Sequence, residues 1–262
     1  EFKSGDCDFM MKVAVITGAS SGLGAEFLKH AVKMYPELER IYLIARREDR
    51  LRELAEKYGE KCVPVAMDLS LDSSYERLEQ ILCDADADVR LLINNAGFGR
   101  IGKVIDGDPK TQTAMVDLNC RGLTGVACVC MRHMHSGAQI INTCSIASFV
   151  PNPGLTVYSS TKAYVLSFTK GLREELKPLG INCMCVCPGP MKTEFLTVAK
   201  IEPGVSKAFD TLPYCDVSDV AKKALLASKK GRCVYTNRAV YKLYRLLAKL
   251  LPHSFLMKLS KV

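Results

Sequence analysis

Tyr158 and Lys162 stand four residues apart in TVYSSTKAYV, with only Ser159, Ser160 and Thr161 between them. On a helix, that spacing puts a phenol and an ammonium one turn apart on one face. A free phenol titrates near about 10 and holds its proton at neutral pH. A cation one turn away and a nearby helix N-terminus both favour the phenolate, which makes the pair a usable acid/base. An isolated Y-x-x-x-K is more often a half-buried aromatic beside a solvated lysine. Ser145, thirteen positions before Tyr158 at the end of an apolar run, adds a hydroxyl placed to polarise a carbonyl.

Holding three such groups together requires a rigid scaffold, and the sequence alternates short apolar runs with amphipathic stretches. KVAVIT, RIYLIA, CVPVAM, VRLLIN, AQIINTC, INCMCVC and a short GRCVY read as seven strands. Helices are predicted from about Gly22, from Glu48, near Ser73 to Leu82, from about Pro109 to His133, from the Tyr158 stretch to about Leu176, and near Val217 to Ala227. Continuous apolar strands joined by helices specify an α/β fold: a Rossmann-like, doubly wound, seven-stranded parallel sheet with helices on both faces, in a single domain. Ligands of such sheets bind beyond the carboxyl ends of the strands, near the switch point.

The residues just after each strand fit that placement. TGASSGLG after the first strand supplies Gly18, Ser20, Ser21, Gly22, Leu23 and Gly24. Glycines there let the backbone turn and approach a pyrophosphate at a helix N-terminus. The second strand ends in Ala45, Arg46, Arg47, where an NAD site would place an acid for the ribose 2′-hydroxyl. Arginine there suits a 2′-phosphate, hence NADP(H). The alternative is that both arginines pair with Glu48 and Asp49 on a solvated helix end. Asp68, followed by Leu69, either accepts from the adenine amino group or caps the next helix. NNAG (Asn94, Asn95, Ala96, Gly97) lets backbone pass close to the adenosine half, with Asn94 read as structural. The sixth strand runs into Pro188, Gly189, Pro190, Met191, Lys192 and Thr193, a stiff turn that brings a hydroxyl to where a nicotinamide carboxamide could lie.

TGASSGLG, NNAG, Asn119 in VDLN, Ser145, YSSTK and PGPMKT together resemble the short-chain dehydrogenase/reductase family from Lys12 to about Tyr235. The resemblance implies that Tyr158 gives its proton to a ketone oxygen as NADPH delivers hydride, and takes it back in oxidation. It also implies that Ser145 holds the carbonyl oxygen, that Lys162 bonds the nicotinamide ribose, and that Asn119 anchors a water passing protons toward Lys162. It further implies a homodimer or homotetramer. No metal is expected in such chemistry, and His133 and His135, two apart, do not share a helix face. The expected activity is NADP(H)-dependent interconversion of a ketone and a secondary alcohol. A catalytically silent NADP-binding regulator is the competing class, against which the presence of Ser145, Tyr158 and Lys162 argues.

The substrate side is read from the flanks. Residues 191–214 mix Phe195, Leu196, Val198, Ile201, Val205 and Phe209 with charges, as a lid over an apolar ketone such as an acyl chain or sterol would. The C-terminal segment resembles, in general character, lipid- and steroid-handling members of the family. In AVYKLYRLLAKLLP, Val240, Leu243, Tyr244, Leu247, Leu250 and Leu251 recur at helical spacing, with Lys242, Arg245 and Lys249 opposite and Pro252 ending the helix. That helix closes the pocket or a subunit contact, lies on an anionic membrane surface as a peripheral contact, or attracts an acidic substrate carrier.

Composition bounds the rest. The 262 residues, 48% hydrophobic, suffice for one large core. The formal charge of +8 is uneven: residues 220–262 hold eleven Lys and Arg and no acid, whereas the first 219 residues are net negative. No nucleic-acid partner is expected. Twelve cysteines without C-x-x-C spacing read as free thiols, with Cys183, Cys185 and Cys187 on one face of a strand. The apolar runs fall short of a bilayer span and no signal-peptide order is present, so a cytoplasmic chain is expected. Residues 1–10 are read as upstream sequence, 11–236 as the catalytic domain with its lid, and 237–262 as a basic amphipathic extension.

Overall fold

In the computed structural model, residues 10–202, 204 and 206–259 are described. The readings made for residues 1–9, for Val205 in the lid and for the last three positions lie outside them. The apolar runs form seven strands: β1 (Met11–Thr17), β2 (Arg40–Ala45), β3 (Cys62–Ala66), β4 (Ala87–Asn94), β5 (Gln139–Thr143), β6 (Asn182–Val186) and β7 (Val234–Tyr235). They pair in parallel in the order β3-β2-β1-β4-β5-β6-β7. The direction of winding reverses between β1 and β4, and a crevice opens there beyond the strand ends.

Both faces of the sheet are covered, which explains why the strands read as continuous apolar runs rather than as alternation. Ala14 and Ile16 of β1 enter one core with Phe27 and Leu28 of α1 (Gly22–Met34), Leu51 of α2 (Glu48–Tyr58) and Ala221 and Leu225 of α9 (Val217–Lys229). Val13 and Val15 point the other way, to Leu78 of α3 (Ser73–Asp84), Val126 of α5 (Leu123–Met131) and Leu172 of α6 (Thr156–Leu176). Truncating a fully buried member such as Ile16 to Ala would cost about 2–5 kcal/mol. Cys183, Cys185 and Cys187 are free, buried and on the α6 side of β6, while Met184 and Val186 face the other core.

The helix expected over 109–133 is broken into α4 (Pro109–Val116), a π-helical turn (Asp117–Gly122) and α5, which stops at Met131. Asp108 starts it by accepting from Thr111 N at 2.9 Å, with Pro109 in the first turn. Taken whole, Pro109–Met131 is long and apolar enough to cross a membrane, contrary to what uninterrupted apolar runs suggested. In the fold it is a core element, with Leu123, Val126, Ala127 and Cys130 buried against the sheet and neighbouring helices.

Two further differences concern the flanks of the cleft. The lid contains two short helices, α7 (Glu194–Val198) and α8 (Lys207–Thr211), that its mixed apolar and charged sequence did not announce. The tail forms α10 (Ala239–Leu250), stopped before Pro252 as expected, and α11 (His253–Leu259). The apolar residues of α10 do not share one face. Tyr241 and Tyr244 pack inward, whereas Leu243, Leu246 and Leu250 face solvent, because the tyrosines take the positions over the turn after β6.

Candidate active site

The strand ends set the floor of a cleft of about 910 Å³ that runs from the glycine turn after β1 to the apolar inner side of the tail. At one end, Gly18 has φ +62°, and a Cβ there would lie 2.9 Å from Ala96 Cα. Gly24 is tighter still: a Cβ would sit 2.1 Å from Gly18 O, so α1 starts against the turn itself. Ser20, Ser21, Gly22 and Leu23 line the same end. Thr17 Oγ1 accepts from the backbone N–H groups of Asn95 and Ala96 at 2.8 and 2.9 Å, locking the β1 and β4 ends together.

Both asparagines after β4 are used in bracing. Asn94 Nδ2 donates to Leu123 O at 2.7 Å, as the structural reading of that residue expects. Asn95 Nδ2 donates to Thr17 O and its Oδ1 accepts from Thr143 Oγ1 at 3.0 Å, joining the ends of β1, β4 and β5. With the Asn95 side chain so committed, the segment offers the cleft mainly the backbone of Asn95, Ala96 and Gly97.

At the β2 end, Arg46 is exposed and lines the cleft, paired with no carboxylate among the described residues. Arg47 does not pair with Glu48 or Asp49. Its Nη2 donates to Ser20 Oγ, Ser21 Oγ and, at 2.9 Å, Glu194 Oε2, while Glu48 is taken by Arg52. Arg50 holds the other oxygen of Glu194. Arg47 and Arg50 together hold the Glu194 carboxyl down at about 2. This latch joins the lid to the glycine turn and was missed in the sequence, where an ion pair spanning 147 positions leaves no spacing signal.

Asp68 does not cap α3, whose N-cap residue is Asp72. The Asp68 carboxylate accepts from Ser70 N and Oγ at 3.0 and 2.7 Å, bracing the turn after β3, and it lines the cleft beside Leu69. Burial pushes the carboxyl up, but the Ser70 hydrogen bonds and the Arg46 charge outweigh it and leave it below its ordinary value.

At the other end of the cleft Ser145, Tyr158 and Lys162 converge, drawn from the β5 end and the first two turns of α6. Ser145 caps a short 3-10 turn, Ile146–Ser148, by accepting from Ala147 N at 3.1 Å, which fixes its hydroxyl. Tyr158 is buried against Phe195 of the lid, with ring centroids 5.5 Å apart. Burial pushes its phenol well up, while a hydrogen bond with Ser145 pulls the other way. Lys162 is only 4% exposed, and burial draws its ammonium down from the usual lysine range. Its Nζ donates to Thr143 O at 2.9 Å and lies 5.7 Å from the Tyr158 ring centroid. In the protein alone, therefore, desolvation dominates both groups, and the expected lowering of the phenol by its lysine does not emerge.

Asn119 sits in the π-helical turn, fully buried. Its Oδ1 accepts from Phe98 N at 3.0 Å, and its Nδ2 donates to Phe98 O at 2.8 Å and Thr161 Oγ1 at 3.1 Å. The side chain thus clamps the segment after β4 to α6, and the irregular turn is what brings it there. Pro188, Gly189 and Thr193 also line the cleft, with Thr193 against Gly22. The wall beyond Tyr158 is apolar, built from Leu155, Phe195, Phe209, Tyr244, Leu247 and Leu256. The two tail helices contribute to it, so the pocket-closing reading of the C-terminal segment holds for their inner side.

His133 and His135 lie past the end of α5 rather than on it, and reach Glu79 at 3.3 Å and Asp88 at 3.1 Å. Glu79, Cys83 and His133 bring donor atoms within 4.8 Å of one another on the outer side of α3, with Arg132 on the same carboxylate.

Residues 12–202 match the family model described as short chain dehydrogenase. Sulfoacetaldehyde reductase 2 of Chromohalobacter salexigens is 32% identical over 196 residues, covering 72% of this chain and 76% of the relative. A short-chain dehydrogenase from Sphingobium yanoikuyae, solved in complex with NADPH, superposes with a TM-score of 0.77 at 27% identity, over 94% of this chain and 95% of that one. The bulky-bulky ketone specific alcohol dehydrogenase of Comamonas testosteroni gives 0.73 at 26% identity, over 94% and 93%. With its seven-stranded parallel sheet, glycine turn and Ser-Tyr-Lys group in place, this chain belongs to the short-chain dehydrogenase/reductase family, oxidoreductases that bind a nicotinamide dinucleotide and act on small carbonyl or alcohol substrates.

Proposed function

We propose that this protein reduces a bulky apolar ketone to a secondary alcohol, and reverses that reaction, with NADP(H). The observation that carries the reading is the position of Ser145, Tyr158 and Lys162 where the dinucleotide end of the cleft meets a wall of Leu155, Phe195, Phe209, Leu247 and Leu256.

NADPH would be held by the turn from Gly18 to Gly24, by the backbone of Asn95, Ala96 and Gly97, by Arg46 and Arg47 at its 2′-phosphate, and by Lys162, Pro188, Gly189 and Thr193 toward the nicotinamide. Asp68 and Leu69 would bound the adenine. When bound, the cofactor supplies or accepts the hydride. Ser145, its hydroxyl fixed by the turn it caps, would donate to the substrate oxygen and hold it beside Tyr158. Tyr158, buried and raised above an ordinary phenol, keeps its proton at neutral pH and would give it to that oxygen. Lys162 would stabilise the phenolate left behind, held in place by Thr143 O. Asn119 would keep the turn around Phe98 and α6 in register, so that the two catalytic side chains stay aligned. The lid would close over the substrate through Phe195, whose ring already packs against Tyr158 at a tilt of 51°.

The solved relatives in complex with NADPH or specific for a bulky-bulky ketone support this choice of cofactor and substrate. The test is a panel of bulky aryl, acyl-chain and steroidal ketones followed by nicotinamide absorbance with NADPH and, separately, NADH. Turnover with at least about tenfold preference for NADPH in kcat/KM is expected from a charge-assisted 2′-phosphate contact. Equal rates with NADH would overturn the role given to Arg46, and no turnover across the panel would overturn the proposed reaction.

A further inference from the structure

The tail helix α10 has an outer side that the reaction does not use. At 3.6 residues per turn, Leu243, Leu246 and Leu250 fall on the arc opposite Tyr241. Tyr241 is 1% exposed and its hydroxyl donates to Pro213 O at 2.7 Å, so the opposite arc points straight away from the protein. The three leucines there are 55, 53 and 70% exposed, and Phe255 of α11 adds another ring at 55%. Three consecutive outward leucines on an exposed helix form a patch that water alone does not favour.

The charges that the tail itself places beside the patch are of one sign. Lys242, Arg245 and Lys249 run down one flank of the leucines, with Arg238 before them and Lys258 after. No acid occurs anywhere in residues 220–262. A second copy of this chain, laid leucine to leucine, would bring two such cationic flanks together without a single carboxylate from either tail to answer them. An anionic bilayer answers both features, with acyl chains for the leucines and headgroups for the cations.

On the other flank the apolar surface continues inward. Val240 is 46% exposed and also lines the cleft, and Leu247 follows it one helical repeat on. The outer patch and the inner wall are therefore edges of the same helix, and a hydrocarbon passing from the patch to the cleft crosses no charged side chain of α10.

We propose that α10, with Phe255, seats this protein on anionic lipid, leucines into the acyl boundary and basic flank on the headgroups, so that the mouth of the cleft faces the bilayer. The substrate class this adds is a ketone that partitions into membranes, and that part alone rests on the reaction proposed above.

The test is co-sedimentation with vesicles of phosphatidylcholine containing 30% phosphatidylglycerol, roughly a physiological anionic fraction, against pure phosphatidylcholine, without cofactor or substrate. Binding to the anionic vesicles at low salt is expected, about tenfold weaker at ~0.5 M salt and on neutral vesicles. The variants Leu243→Ser with Leu246→Ser, and Lys242→Gln with Lys249→Gln, should each lose about tenfold in binding. None of these side chains lines the cleft, so NADPH turnover of a water-soluble ketone should be unchanged and certifies the fold. Absence of binding to anionic vesicles at low salt overturns the proposal. So does a wild-type dimer that the leucine variant dissociates, since the face is then covered by a second copy. So also does retained binding in both variants. Failure of the ketone assay, by contrast, speaks only to the reaction.

Discussion

Glu194, the first residue of the lid helix, reaches 2.9 Å from Arg47 across the dinucleotide end of the cleft. The arginine assigned to a 2′-phosphate thus already holds an anion, which a phosphate would have to displace or share. Replacing Glu194 with Gln should tighten NADPH binding about three- to tenfold, close to the ~1 kcal/mol of an exposed charge pair. NADH, without the phosphate, should change little. Fluorescence titration of both cofactors measures this, and an NADPH affinity that weakens would show that the latch builds the site instead of competing for it.

The same latch has a defined acid range. The Glu194 carboxyl is held below its ordinary 4.5, at about 2, by Arg47 and Arg50. Its pairing therefore contributes in full above about 4.5 and is lost only as pH falls through about 2. Between pH 5 and 8 the NADPH affinity should carry no titration from Glu194, and a carboxylate-like step there that disappears in Glu194→Gln would contradict the assignment.

For the proton-transfer group, burial raises Tyr158 and lowers Lys162, the first toward a held proton and the second toward neutrality. Ketone reduction needs the phenol and should be flat in kcat from about pH 6 to 8, whereas alcohol oxidation needs the phenolate and should climb with pH. Tyr158→Phe should remove nearly all turnover, at least about a thousandfold, with NADPH affinity intact. A Tyr158→Phe enzyme that keeps most of its rate would sink the mechanism.

Two glycines separate packing from backbone freedom. Gly24→Ala forces a methyl to 2.1 Å from a backbone oxygen of the glycine turn and should cost about 1–3 kcal/mol or more, together with cofactor binding. Gly171 lies mid-helix in α6 with nothing within 4 Å of its Cβ position, so Gly171→Ala should stabilise by about 0.5–1 kcal/mol. Thermal midpoints of the two variants should move in opposite directions.

Buried phenols also set the alkaline limit. Desolvation raises Tyr35, Tyr158 and Tyr241, and Tyr235 to about 12. Their neutral burial contributes in full below an ordinary phenol's value of about 10 and fades as pH rises through the raised values. The thermal midpoint should fall steeply above about pH 10, less so in Tyr35→Phe. A midpoint level to pH 11 would contradict this.

The fold was readable because its strands are buried on both faces and separated by clear glycine and proline punctuation, so all seven could be placed from apolar runs alone. Ser145, Tyr158 and Lys162 were legible because strand ends and helix starts are local features, and the structure brings them together at one end of the cleft. The π-helical turn around Asn119 was not legible, since composition does not distinguish it from the regular helix it interrupts. The Arg47–Glu194 latch depends on two exposed side chains meeting across the fold. On α10 the period was right, but the arc it marks is split, with Val240, Tyr244 and Leu247 lining the cleft and Leu243 and Leu250 facing solvent, because Tyr241, outside that arc, is the residue that packs on the Gly189 backbone.

That approach ties two distant parts of the chain. A Cβ on Gly189 would lie 2.1 Å from the Tyr241 ring, and Gly189 N donates to Asn237 just before the helix. The turn proposed for the nicotinamide and the helix proposed for lipid are thus packed directly against each other, so ordering either one would bear on the other. By reciprocity, if a vesicle on this helix raised affinity for the dinucleotide, the dinucleotide would raise affinity for the vesicle by the same factor.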